Sequence, residues 1–350
     1  MNTFGDRIRL TTWGESHGIG IGGVIDGFPS GVEIDFEAIR EAMEERRPGR
    51  EGTSQRQEDD MPEFLSGISD DGRTLGTPIA FLIKNKDARS EDYEFLKDKY
   101  RPNHADLTYI MRYGMREWRG GGRASARETA CRVVAGAMVM PLLREKGIYI
   151  RSFLTAAGGQ GDVDILERLS DDPQLAYEYK PDEEVKNLIS SEIERARMDR
   201  DSVGGTVTCL ILGETRGIGD PVYSKLNAKL AEAMMGINAA KGFEIGLGCE
   251  LATRRGSEVM DEFIPDSPWD SSTKTNYSGG IQGGICNGMP IFFNVHFKPT
   301  PTIGKPMPLM DEDHIVSDSV VPGRHDPCVA VRAVAVVKAM AALVLANYCL

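Results

Sequence analysis

Residues 290–297 read Pro290-Ile291-Phe292-Phe293-Asn294-Val295-His296-Phe297. Ile291, Phe293, Val295 and Phe297 alternate with Phe292, Asn294 and His296, the period-two pattern of a strand in a sheet with one well-packed face. Similar signals predict strands at 19–25, 78–83, 148–154, 205–212 and 243–250. Between them a 3.6-residue period predicts helices. One starts at Phe36 with Asp35 as N-cap, carries Phe36, Ile39 and Met43 on a single face, and is ended by Pro48-Gly49. Others run over 105–116, from Ala126 toward Leu143 with Pro141 kinking or ending it, and near 182–199, 223–235 and 328–347. The pattern is mixed α and β throughout (α+β). With no linker and no short-period repeat, 1–350 reads as a single domain.

Composition narrows the function. The 350 residues hold 41 Lys and Arg against 53 Asp and Glu, a net charge of -12, which argues against nucleic-acid or anionic-membrane binding. Any basic site must be local, and arginines do cluster, at Arg46-Arg47-Arg50, Arg101, Arg112 to Arg127, and Arg324. Six scattered cysteines lack metal-site spacing, so no metal is expected and the thiols read as reduced in a cytoplasm. The N-terminus lacks the layout of a signal peptide. The Val- and Ala-rich run from Cys328 to Leu350 is interrupted by Arg332 and Lys338, which leaves too short a stretch to span a membrane and predicts a buried terminal helix.

The densest chemistry lies at Arg119-Gly120-Gly121-Gly122-Arg123-Ala124-Ser125-Ala126-Arg127-Glu128-Thr129. Glycines let a polyanion approach the main chain, Ser125 and Glu128 have capping-box spacing, and the following helix adds its dipole. Together these predict a phosphate site. Gly18, Gly20 and Gly23 satisfy Gly-x-Gly-x-x-Gly, but more strand follows rather than a helix, which argues against a dinucleotide fingerprint. No P-loop is present. Three short segments each bring a histidine beside charged neighbours: Gly14-Glu15-Ser16-His17-Gly18, Arg101-Pro102-Asn103-His104-Ala105-Asp106 and Gly323-Arg324-His325-Asp326-Pro327. His17, which no apolar periodicity demands, is a general-acid candidate beside a phosphate. Asp326 serves equally as a helix N-cap. Residues 49–62 are almost free of apolar side chains and read as a long loop able to close over a site. The Gly-rich stretch 276–284 and Lys298 to Ile303 suit a flat cofactor.

In order along the chain, the His17 segment, Gly120 to Thr129 and Arg324 to Pro327 closely resemble the three signature segments of the chorismate synthase family. Arg46-Arg47-Pro48-Gly49, Arg101 to Asp106, Gly279 to Gly284 and Lys298-Pro299-Thr300 extend the resemblance over nearly the whole chain. It implies a β-α-β sandwich with helices between two antiparallel sheets, a homotetramer, and a cytoplasmic lyase of the shikimate pathway. The implied reaction is 1,4-elimination of phosphate from 5-enolpyruvylshikimate 3-phosphate, giving chorismate with reduced FMN required and no net redox. By the same resemblance His17 protonates the departing phosphate, His104 stabilises or protonates reduced flavin, and Asp326 assists flavin N5 in removing the ring proton. Arg123, Ala124, Ser125, Asn238, Ala239, Gly283, Lys298, Pro299, Thr300, Pro301, Thr302 and Arg324 line the flavin site. Arg46, Arg47, Arg50, Arg101 and Arg127 face substrate anions, with Arg324 on the edge shared with flavin. Pro301 departs from the small hydroxyl residue common in the family and removes one backbone donor. No segment reads as a domain that reduces flavin with NADPH, so an external reductant is expected. A phosphotransferase would require a metal-carboxylate and lysine arrangement, and an RNA-binding module an aromatic-basic motif; neither is evident.

Overall fold

The computed structural model describes residues 1–47, 52–53, 60–86, 90–265, 272–323 and 325–350. The chain begins with β1 (Thr3–Phe4), β2 (Arg9–Gly14), β3 (Gly20–Asp26), α1 (Phe36–Arg46), β4 (Glu63–Phe64) and β5 (Ile79–Lys84). Then come β6 (Lys99–Tyr100), α2 (Asp106–Tyr113), α3 (Thr129–Glu145), β7 (Ile148–Ala157), β8 (Gln160–Gly161), α4 (Ile165–Asp171), α5 (Leu175–Glu178) and α6 (Glu183–Met198). The remainder holds β9 (Gly205–Gly213), α7 (Leu226–Met235), β10 (Ala240–Ile245), β11 (Ile281–Gln282), β12 (Ile285–Cys286), β13 (Ile291–Phe297), β14 (Met307–Asp311), β15 (Val316–Ser319) and α8 (Ala330–Cys349).

Two five-stranded antiparallel sheets form outer layers, in the orders β1-β2-β3-β5-β4 and β10-β13-β9-β7-β8. Between them α3 packs on β2 and β3 on one side and β7 on the other, while α8 packs on β7 and β9 and against α1, α3 and α7. This is the sandwich that the family resemblance implies. One apolar cluster runs through all three layers, from Ile8 and Ile25 through Val134 and Val337 to Phe293. A helix inside two sheets has no solvent face, which is why α3 and α8 are apolar on nearly every side. By length and composition α8 would cross a membrane, contrary to the reading that its run is too short, but most of it is buried in this core.

Two glycines of the Gly-x-Gly-x-x-Gly match, Gly20 and Gly23, serve strand packing. In β3, a Cβ on Gly20 would lie 2.7 Å from Ile83 O, and one on Gly23 would lie 2.6 Å from the Phe81 ring. β13 is buried on both faces rather than one. Ile291, Phe293, Val295 and Phe297 join the helical core, and Phe292 packs in a second cluster with Leu166, Leu169 and Tyr179 of the α4–α5 region.

Several boundaries differ from the sequence reading. α2 stops at Tyr113 because Gly114 takes a left-handed φ of 73°. α3 begins at Thr129, not Ala126. Two single 3-10 turns precede it, and Ser125 accepts the Arg127 N–H in the second of these. The Glu128 carboxylate points away to Thr12 Oγ1 and Arg132, so no reciprocal capping box forms. Pro141 does not end α3, which continues to Glu145. β10 ends at Ile245, and Gly248–Thr253 is 3-10 helix instead of strand. Asp326 is not an N-cap; Val329 holds that place in α8. Asp35 does cap α1, accepting the Ala38 N–H at 2.8 Å. Of the proposed closing loop, 49–51 and 54–59 lie outside the described residues.

Candidate active site

The link between α2 and α3 carries the three glycines at φ +60°, +80° and +52° for Gly120, Gly121 and Gly122, a region that side chains disfavour. Their bare backbone makes room for the protein's own groups rather than for a polyanion alone. A Cβ on Gly120 would sit 2.1 Å from His17 Cε1 and Nδ1, one on Gly121 2.8 Å from His104 Cε1, and one on Gly122 3.0 Å from Glu117 Cβ. The glycine ribbon therefore threads between the two imidazoles and sets how closely they approach.

His17 is buried just after β2. Ser16 Oγ donates to Gly120 O at 3.2 Å and lies 3.1 Å from His17 Nδ1. With the hydroxyl proton so directed, the His17 ring meets Ser16 as the donor through Nδ1–H. The Tyr93 ring meets the imidazole edge-on at 4.8 Å between centroids.

His104 stands before α2 in a tight cluster. His104 Nδ1 and Arg101 Nη2 both donate to Asp106 Oδ1, at 2.8 and 3.0 Å, and Arg101 Nε donates to Asp106 Oδ2 at 2.8 Å. Burial works against the Asp106 carboxylate, but hydrogen bonds from His104 and Arg101 outweigh it and hold the group well below the usual carboxylate range. Burial pushes the His104 imidazole below its ordinary value; Asp106 pulls it upward, and the Arg101 and Lys298 cations push it down. His104 is thus a neutral imidazole at neutral pH with Nδ1–H committed to Asp106.

These elements enclose a cleft of about 360 Å³, within the range of small-molecule sites. His104, Asp326, Arg101, Ala124, Ser125, Asn238 and Ala239 line it, as do Lys298, Thr300, Pro301 and Thr302. Segments from Tyr93 to Arg332, far apart in sequence, therefore meet in one place. Asn238 Nδ2 donates to Ala124 O at 2.9 Å, tying the α7–β10 turn to the glycine ribbon. Lys298 Nζ donates to Asn103 O at 3.1 Å, and Arg101 Nη1 donates to Thr302 Oγ1 at 3.2 Å. Asp326 accepts from Arg332 Nη1 at 2.8 Å.

Other predicted residues lie elsewhere. His17 is one layer behind the cleft, against Gly120 and Tyr93, which do line it. Arg123 turns to Thr12 Oγ1, 2.7 Å away, and Pro299 packs by Gly204. Gly283 sits in the turn between β11 and β12, outside the cleft lining. Arg46 and Arg127 are buried and share the Asp60 carboxylate, which Arg46 Nη1 reaches at 2.9 Å. Asp60 takes a left-handed φ of 54° to stand between them. Arg47 lines a smaller hollow with Arg40, Asp60 and Lys84. Arg50 and Arg324 lie outside the described residues.

The sequence reading gave no role to Tyr93, His325 or Arg332, all of which line the cleft. His325 Nε2 donates to Val321 O at 3.0 Å, and burial lowers its basicity. Arg332 did carry a sequence signal, a cation placed in the first turn of a helix against the helix dipole. Tyr93 carried none.

The lining suits a flavin. Ala124, Ala126, Ala239, Pro301 and Val329 supply apolar wall for a flat ring. Thr300 Oγ1 and Arg332 Nε are buried with no hydrogen-bond partner among the described residues, and such groups in a folded protein await a ligand or water. Arg101, Lys298 and Arg332 against Asp326 make the lining locally cationic within an acidic chain, which concentrates anions there.

Residues 8–350 match the family model described as chorismate synthase. The chain is 48% identical to a chorismate synthase of Christiangramia forsetii, over 99% of this chain and 97% of that protein. It is 47% identical to one of Archaeoglobus fulgidus, over 99% of this chain and 96% of that protein. A chorismate synthase crystal structure superposes with a TM-score of 0.75 at 30% identity, covering 99% of this chain and 92% of that one.

Proposed function

Since the chain belongs to the chorismate synthase family and so is a lyase of the final shikimate-pathway step, we propose that it converts 5-enolpyruvylshikimate 3-phosphate to chorismate and phosphate by 1,4-elimination, with reduced FMN in the cleft and no net redox. The observation that carries this reading is the convergence of His104, Asp326, Arg101 and Lys298 on one cleft whose wall holds the partnerless Thr300 hydroxyl.

The substrate bears one phosphate and two carboxylates, and losing phosphate requires positive charge fixed in advance where the oxyanion grows. Arg101, held rigid by Asp106, supplies such a charge, with Arg47, Arg50 and Arg324 assigned to the remaining anions. Arg46 and Arg127 already share Asp60 and tie the end of α1 to the turn before α3. His17, its ring oriented by Ser16, protonates the departing phosphate. His104 faces the ring as a neutral imidazole able to hold a proton against an anionic partner. Asp326 assists removal of the ring proton. Bound reduced flavin supplies electron density to the breaking system. The flavin is reduced outside this chain, and the active form is a cytoplasmic homotetramer.

The test is an anaerobic assay of 5-enolpyruvylshikimate 3-phosphate with dithionite-reduced FMN, following chorismate absorbance. Wild type is expected to turn over. His17→Ala, His104→Ala and Asp326→Ala are expected to fold and to lose about a hundredfold or more in kcat. Turnover without flavin, or full activity in all three variants, would overturn the reading.

A further inference from the structure

Arg332 breaks two rules at once. It lies in the first turn of α8, where free backbone N–H groups carry partial positive charge and a cation is disfavoured. It is also largely buried, and its Nε has no hydrogen-bond partner among the described residues. A guanidinium needed only to anchor Asp326 could do so from solvent, without hiding an unsatisfied N–H. Such local conflicts mark functional positions. Here the cleft supplies the direction: Arg332 lines it together with Asp326 and His325.

We infer that Arg332 is a positioning residue of the reaction, holding Asp326 oriented and ionised through Nη1 and presenting Nε–H to an acceptor atom of the ligand in the cleft. The inference rests on the proposed elimination, in which Asp326 assists removal of a proton. A planar guanidinium suits both tasks, because its N–H groups point in fixed and different directions. Nη1 meets Asp326 Oδ2 at 2.8 Å, which leaves Nε to meet a lone pair on the flavin ring or on a substrate carboxylate. The charged and titratable groups around Asp326 are Arg332 on α8, His325 and Cys328 on its own segment, Arg101 and His104 before α2, and Lys298 after β13. Arg324, outside the described residues, is its near neighbour in sequence.

The two functions separate in two variants. Arg332→Lys keeps the charge but cannot span both partners. Its kcat–pH profile should keep the wild-type acid limb, while binding weakens about ten- to a hundredfold, the range for one charge-assisted hydrogen bond. Titration with reduced FMN alone, set beside KM for substrate, tells which ligand carries the acceptor. Arg332→Met removes one cation from beside the Asp326 carboxyl, so the acid limb moves to higher pH. Far-UV circular dichroism and Tm establish that each variant is folded; if Arg332→Met is not, the Lys variant decides by its binding. Active wild type beside folded variants with unchanged binding and an unchanged acid limb overturns this inference alone. Wild type that does not turn over overturns the functional reading, and this inference with it.

Discussion

Gly120 shows how a single absent atom can set catalytic geometry. Its φ of +60° already disfavours any side chain, and a Cβ there would fall 2.1 Å from the His17 ring. The methyl of Gly120→Ala can be accommodated only if the ribbon or the imidazole moves by about an ångström, and displacements of that size cost about a hundredfold in rate. The left-handed backbone adds about 1–2 kcal/mol of instability. We expect Gly120→Ala to fold, to be measurably less stable in urea, and to lose about a hundredfold in kcat; activity within threefold of wild type would show that the ribbon does not fix His17. The glycines were conspicuous in the sequence, but their purpose was not, because nothing local to 120–122 shows that residues 17 and 104 lie on either side.

Among the elements, α1 and α3 are joined by charge as well as by apolar packing. Arg46 at the end of α1 and Arg127 just before α3 both reach the buried Asp60, and Arg46 also donates to Ala126 O at 2.8 Å, one of the carbonyls at the start of α3. Removing the carboxylate takes a shared counter-charge from two buried guanidiniums, which for a buried pair costs about 3–5 kcal/mol. Asp60→Ala should therefore lower the urea midpoint strongly at unchanged m-value. A loss below about 1 kcal/mol would place those charges in contact with solvent. The helices read from periodicity exist, and Asp35 was a correct capping signal, but the short α4 and α5 were not read. The start of α3 was not legible, because Glu128 prefers the Thr12 hydroxyl of a distant strand and Arg132 to the backbone beside it.

At the scale of the whole molecule, the spacing of the sandwich depends on how closely α3 and α8 approach. Gly136 of α3 lies against Ala339 of α8, where a Cβ would come within 2.4 Å of the Ala339 Cβ. Gly136→Val should force the central helices apart and destabilise the protein by about 1–3 kcal/mol, readable by denaturant unfolding; an unchanged midpoint would mean that the layer can dilate freely. The sequence by itself determined the mixed α and β character, the segments that carry chemistry and, through those segments in order, the family, because periodicity and motif are properties of neighbours along the chain. Only the tertiary structure decided that β13 is covered on both faces, and which arginines are spent on Asp60 and which line the cleft. The partner of a charged side chain is chosen by proximity in space, and residues 46, 60 and 127, or 101 and 302, become neighbours only once the sheets have closed over the helices.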